Sequence, residues 1–277
     1  MIYHDATERQ RLMRLDQQAL VEYQLGRLNQ LLDAILPDNQ FYAGKLRHQP
    51  HRLESIEQLE SLPFTFKEEL VAGAIDSRFA ANLTWDPSRY VRLHRTSGTR
   101  GRPLIVLDTT EDWHWWMNCW QYVLDSGEIT DQDRVLMAFS FGPFIGFWSA
   151  YDAVIHRQAL VAPAGALSTL ARIELLRTIE ATAVFCTPSY ALHMAEVAAD
   201  NQTNLADTTV EKIVVAGEPG GSVPELRQRI ETAWNARVVD HAGASEVGPW
   251  GFADPNGNGI YVNESEFIAE FFSLQSG

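Results

Sequence analysis

The eight residues Thr96-Ser97-Gly98-Thr99-Arg100-Gly101-Arg102-Pro103 concentrate the groups that hold a phosphate. Glycines let backbone N–H groups converge on one anion, hydroxyls donate further hydrogen bonds, and guanidinium adds charge with paired donors. Arg89, Arg92, Arg95, Arg100 and Arg102 fall within fourteen residues of a chain whose formal net charge is −14. A field of that sign repels anionic ligands, so any nucleotide site has to be made favourable locally. The same eight residues also suit a glycine-rich turn between two strands. They are not the other common phosphate loop, because Gly-x-x-x-x-Gly-Lys-Ser/Thr is absent.

A loop of this kind needs strands to hold it. Strands are expected over residues 90–94 and 104–107 on either side, then over 134–139, 159–162, 183–186, 212–216 and 237–241. Helices are expected over 110–126, 146–156, 168–180, 190–200 and 223–235. Short apolar strands alternating with helices imply an α/β fold with a layered, largely parallel sheet flanked by helices. Such sheets bind ligands at the carboxyl ends of their strands. Upstream, residues 7–36 read as one long helix ended by Pro37, with short helices around 55–61 and 67–72. Downstream, Asp254-Pro255-Asn256-Gly257-Asn258-Gly259 reads as a hairpin-like turn, followed by strand-like segments over 260–262 and 267–272.

Composition excludes several classes. Asp and Glu outnumber Lys and Arg by 36 to 22, which disfavours nonspecific nucleic-acid binding. No apolar run approaches the ~20 residues of a membrane span, and the first residues lack the basic flank and apolar stretch of a signal peptide. A cytoplasmic protein is the expectation. The two cysteines, Cys119 and Cys186, sit apart in apolar surroundings and are expected to be buried, inert thiols. Trp113, Trp116 and Trp120 share one helical face and are expected to pack in the core, with Thr109 and Asp112 forming the helix cap. Lysine is confined to Lys45, Lys67 and Lys212.

The loop is similar to the Ser/Thr-Ser-Gly-Thr-Thr-Gly-Lys-Pro signature of adenylate-forming (AMP-binding) enzymes, and its flanks resemble the phenylacetate–coenzyme A ligase branch. Phe41-Tyr42 and Leu62-Pro63-Phe64-Thr65-Phe66-Lys67 match that branch's lead-in. Thr187-Pro188-Ser189-Tyr190, Gly217-Glu218-Pro219 and Gly243-Ala244-Ser245-Glu246-Val247 follow in the family's order and rough spacing. The resemblance implies a carboxylate attacking the α-phosphorus of ATP, giving an acyl-adenylate and pyrophosphate, with coenzyme A thiol then taking the acyl group. It implies that Thr96, Ser97, Gly98, Thr99, Gly101 and Arg102 hold the β- and γ-phosphates, that Glu246 helps hold Mg²⁺, and that Ser245 touches the α-phosphate. Gly217, Glu218 and Pro219 would line the adenine, with Asp240 and His241 beside it.

For the acid, the resemblance implies a pocket near Phe139-Ser140-Phe141-Gly142-Pro143-Phe144, Ser189-Tyr190 and Ala242-Gly243-Ala244. Four phenylalanines, counting Phe147, interleave there with Gly142 and Gly146 and suit either a flat slot for an aryl acid or plain core packing. Three positions depart from the family's pattern. Ala242 stands where a tyrosine usually stacks on adenine, and Arg102 and Arg100 replace the loop's lysine and second threonine. The family's mobile C-terminal domain, with its catalytic lysine and the ribose-binding aspartate before it, has no counterpart in the 277 residues. The expected organisation is a helical lead-in over 1–85, an AMP-binding core over 86–254 and the start of an incomplete β-rich subdomain over 255–277. Little activity is expected from these residues in isolation. A noncatalytic nucleotide- or acyl-binding module and an acyl-protein synthetase stand as alternatives, and a homodimer or a separate chain supplying the tail remains open.

Overall fold

Residues 7–36 carry a helical apolar repeat, yet the chain makes two helices of it. In the computed structural model, which describes residues 4–36, 38–72, 79–98 and 102–273, α1 spans Ala6–Leu12 and α2 spans Gln17–Ile35. The break falls at Asp16, whose carboxylate accepts the Ala19 N–H and starts α2 afresh, as Asp5 does for α1 through Glu8. Two compact units follow from the pattern of contacts: Met1–Asp112 with Val262–Gly277, and Trp113–Tyr261. That division lies elsewhere than the boundaries at 85 and 254 drawn from the sequence pattern.

In the first unit, α3 (Gln40–Lys45), a 3-10 turn at Ile56–Ser61 and α4 (Lys67–Ala72) lead to an antiparallel pair, β1 (Arg92–Arg95) and β2 (Ile105–Asp108). Arg95 faces Ile105 in the register, so residues 96–104 close a hairpin. The end of the chain returns to this unit. Arg27 donates to the Glu266 carboxylate at 2.6 Å, and Gln24 donates to the Glu264 carbonyl at 2.9 Å. Residues 267–272 form no strand, contrary to the sequence pattern: the Asn263 carbonyl accepts both the Glu266 and Phe267 amides and turns the chain there.

The second unit is built by α5 (Thr110–Ser126), which opens at the division, β3 (Arg134–Met137), α6 (Ile145–His156), β4 (Leu160–Pro163), α7 (Thr169–Thr178), β5 (Ala183–Cys186), α8 (Pro188–Asp200), β6 (Lys212–Val215), α9 (Pro224–Trp234), β7 (Arg237–Ala244), β8 (Gly248–Ala253) and β9 (Ile260–Val262). Strand order is β4-β3-β5-β6-β7-β8-β9, with the first five parallel and β8 antiparallel to β7. Alternate strand residues turn to opposite faces, and both faces are apolar. Val135, Met137, Phe185, Val214 and Val239 join one buried cluster with Trp113, Trp116 and Trp120 of α5 and Val154 of α6. Leu136, Val184, Ile213, Val215 and Val238 join another with Leu176, Met194 and Ile230 of α7, α8 and α9. Each fully buried Val or Leu stabilises this arrangement by about 1.5–3 kcal/mol relative to exposure. The expected capping box is present: Asp112 accepts from the Thr109 amide and hydroxyl at 2.8 Å.

Both cysteines are buried, and desolvation pushes the Cys186 thiol up to about 12, which leaves it unreactive. Among the described residues no helix is long and apolar enough to cross a membrane.

Candidate functional site

Thr96 anchors the base of the phosphate-type loop. Its amide donates to the Leu104 carbonyl at 3.0 Å, and its hydroxyl accepts the Leu104 N–H at 3.0 Å and the Lys67 ammonium at 3.2 Å. Both lone pairs of that hydroxyl are therefore committed to holding the hairpin, leaving its single hydrogen for an anion. Ser97 is exposed, and Gly98 takes φ = 72°, a left-handed turn that glycine adopts without steric cost. Arg102 is exposed. Thr99, Arg100 and Gly101 lie outside the described residues. Beneath the loop a buried His94–Asp108 pair, 3.1 Å apart, joins the two strands of the hairpin.

In the second unit, the sheet order places a switch point at the carboxyl end of β3. The chain runs from β3 outward to β4, then returns across β3 to β5 and proceeds away. The loops after β3 and β5 therefore leave in opposite directions, the topology at which open parallel sheets place their ligands. Ala138 N–H donates to the Phe185 carbonyl at 2.9 Å, holding the two strand ends together. The segments so juxtaposed are Phe139–Phe144 and Thr187–Tyr190. Phe141 packs edge-on against Trp148 and Tyr151, and Trp148 donates to the Gly142 carbonyl at 2.9 Å. Phe139 is part-buried on the same core cluster, whereas Phe144 is exposed at the start of α6. Tyr190 bonds Thr169 through its hydroxyl and carries the Arg172 guanidinium over its ring, 4.9 Å from the centroid.

Arg172 itself is buried and has three carbonyl partners: Ala138 at the end of β3, and Ala164 and Gly165 beyond β4. One guanidinium thus ties two strand ends to a tyrosine in the first turn of α8.

The neighbouring strand ends carry the remaining candidates. Gly217 takes φ = 91°, and this turn brings Glu218 back toward α8. The Glu218 carboxylate accepts the Ser189 N–H at 2.7 Å, in the first turn of α8. Partial burial opposes ionisation, but hydrogen bonds from Ser189 and Thr187 outweigh it and hold the carboxyl below its ordinary value. Asp240 is buried and accepts from Ser222 at 2.6 Å and from the His241 amide at 2.9 Å; burial raises its pKa despite those bonds. His241 is buried against Trp120. Past a bulge at Ala242/Ala244, Ser245 and the exposed Glu246 form the turn into β8.

The structure therefore brings Glu218 onto Ser189, and links Tyr190 through Arg172 to Ala138 at the end of β3 and to Gly165 beyond β4. It sets Asp240, His241, Ala242, Gly243, Ala244, Ser245 and Glu246 on one strand and its turn. Lys67, Arg172 and the His94–Asp108 pair had no role in the sequence analysis. Lys67 stood in a quoted motif, but nothing in the sequence marks it as the partner of Thr96, 29 positions on. Nothing in the sequence marks an arginine on an amphipathic helix as buried.

A family model described as AMP-binding enzyme matches residues 35–263. The phenylacetate-coenzyme A ligase of Pseudomonas putida is 28% identical over 232 residues, covering 83% of this chain and 52% of that protein. That of Escherichia coli strain K12 is 27% identical over 199 residues, covering 72% and 44%. A solved structure of 2-hydroxyisobutyryl-CoA ligase, in complex with 2-HIB-AMP and CoA in the thioesterification state, superposes with a TM-score of 0.87 at 27% identity, over 95% of this chain and 58% of the other. The chain spans about half the length of the curated relatives it matches.

Proposed function

The chain belongs to the AMP-binding enzyme family, and from that premise we propose that it is the nucleotide- and acid-binding portion of an ATP-dependent carboxylate–CoA ligase acting through an acyl-adenylate. The observation that carries this is the delivery, to the carboxyl ends of the parallel strands β3, β5, β6 and β7, of the segments that the family resemblance assigns to adenylate and acid.

In this proposal the loop residues Ser97, Gly98, Thr99, Gly101 and Arg102 bind the β- and γ-phosphates, with Thr96 and Lys67 setting the loop's base and adding charge. Neutralising and positioning phosphate is most of what the first step asks of a protein. Ser245 contacts the α-phosphate, and Gly217, Glu218 and Pro219 border the adenine. Glu246 fits a Mg²⁺ ligand, because it is an exposed carboxylate on a tight turn and Mg²⁺ is usually held by one or two carboxylates plus substrate phosphates. Bound Mg²⁺ would supply charge neutralisation to the phosphates.

The acid is a small carboxylic acid. The curated relatives named as phenylacetate-coenzyme A ligases support an aryl acid, which in this reading would sit against the segments that follow β3 and β5, where Phe141, Gly142 and Tyr190 lie. Coenzyme A as the acceptor is supported by the solved 2-hydroxyisobutyryl-CoA ligase structure that contains it.

Titration calorimetry of ATP·Mg²⁺ into the chain tests the proposal. The expected outcome is saturable binding that weakens about tenfold in Arg102→Ala, by loss of one charge-assisted hydrogen bond, with the melting temperature unchanged. Absence of ATP binding by a folded chain, or a large stability loss with unaltered affinity, would refute it.

A further inference from the structure

Three residues between the end of β4 and the first turn of α7, Gly165, Thr169 and Arg172, touch both segments assigned to the acid, although none of them belongs to that assignment. Thr169 and Arg172 stand three apart at the start of α7 and so share one face of the helix. Together they hold Tyr190 at two points. Its hydroxyl bonds the Thr169 hydroxyl at 3.0 Å, and its ring carries the buried Arg172 guanidinium 4.9 Å from the centroid. A ring fixed at its rim and on its face has one orientation.

Gly165 holds the other segment. A Cβ there would collide with the ring of Phe141 and stand 2.9 Å from both the Phe139 carbonyl oxygen and the Phe141 amide nitrogen. Backbone does not yield to a methyl group as the end of a flexible side chain does, so the segment after β3 lies directly on this glycine. The φ of Gly165 is outside the left-handed region, so the glycine supplies space and not conformation. Arg172 joins the two halves. Its Nη2 donates to the Gly165 carbonyl at 2.9 Å and its Nη1 to the Ala138 carbonyl at 3.0 Å. The rigid, planar fork fixes those carbonyls relative to each other and to the Tyr190 ring, which an ammonium on a flexible stem does not do.

We propose that Gly165 and Arg172 are positioning residues that set the spacing of residues 139–144 from residues 189–190, and through it the size of acyl group the protein accepts. This rests on the ligase reading above, which assigns those two segments to the acid. Neither residue touches the ligand in this account; each acts through the segment it holds.

The test titrates the full chain with two nonhydrolysable acyl-adenylate mimics, the sulfamoyl adenosines of phenylacetate and of acetate, which share the nucleotide and differ in the aryl group. The unmodified chain is expected to bind the phenylacetyl compound at least about tenfold tighter. Arg172→Lys keeps the charge and loses the fork, and Gly165→Ala displaces the Phe141 segment. Each should bring the ratio of affinities to about one while the affinity for the acetyl compound stays unchanged. Should Arg172→Lys not fold, Gly165→Ala decides alone. A role confined to the scaffold weakens both compounds together or neither, so a common loss, or a preference that survives substitution, overturns the proposal. Equal affinity of the unmodified chain for the two compounds also overturns it and leaves adenylate binding intact. Failure of the folded chain to bind either compound instead overturns the ligase reading beneath it.

Discussion

At the scale of single residues, the three lysines have distinct occupations. Lys45 pairs with Glu69 at 2.6 Å and Lys212 with Asp133 at 3.0 Å, both as structural contacts, while Lys67 reaches the first residue of the phosphate loop. Lys67→Ala is therefore expected to weaken ATP binding about tenfold, whereas Lys45→Ala leaves the affinity unchanged; calorimetry on both variants checks the contrast. At this scale the candidate loop is what residue types alone single out. Thr96, Gly98 and Arg102 announce themselves because phosphate binding needs several unusual residue types in a short span. Lys67 did not, because its partner is 29 positions away and spacing along the chain says nothing of that contact. His241 was assigned beside the adenine from its neighbours. Its tautomer depends on Gly251 across a strand pairing, which only the fold reveals.

At the scale of elements, the carboxyl-end rim is held by two devices that bridge separate strands. The first is Glu218 on the amino end of α8. Its depressed pKa means that the contact stabilises the protein above the carboxyl's ordinary value of 4.5 and is lost as pH falls through the lower folded value. Glu218→Gln should lower the melting temperature by about 2 °C at pH 7, a small effect because the group is exposed to screening solvent. The difference from the unmodified chain should close as pH drops below 4.5; a difference that stays constant with pH would remove the charge from the explanation.

The second device is Arg172, whose three carbonyl partners would lose their donors in Arg172→Met. Such a loss should cost about 3 kcal/mol, read from the urea midpoint at constant m-value. A cost below about 0.5 kcal/mol, that of an ordinary surface substitution, would show that the strand ends hold without it.

The parallel core was readable because its strands are short apolar runs separated by helices. By contrast β8 escaped notice, since Gly248, Pro249 and Gly251 are poor strand formers and the strand exists through pairing with β7 across a bulge. The break between α1 and α2 was equally hidden, for the apolar repeat continues past Asp16 and only the cap's hydrogen bond marks it.

At the scale of the molecule, a chain matching about half the length of its curated relatives retains the loop and strand-end segments that the family's resemblance assigns to nucleotide and acid. Arrangement of the sheet explains why those segments are informative: four parallel strands deliver their loops to one edge, so residues from 138 to 246 share a rim although they are far apart in sequence. Glu264 and Glu266, in the stretch expected to open a β-rich subdomain, bond Gln24 and Arg27 of α2. No periodicity could have shown this, because it depends on one ion pair linking positions 239 residues apart.

The most direct measurement is the ratio of two dissociation constants for the unmodified chain: a nonhydrolysable acyl-adenylate mimic against AMP. If the strand ends form an adenylate site, the mimic should bind at least about a hundredfold tighter, as expected for a ligand resembling a reaction intermediate. Equal affinities would reduce the chain to a nucleotide-binding module, and no binding of either ligand by the folded protein would contradict the account outright.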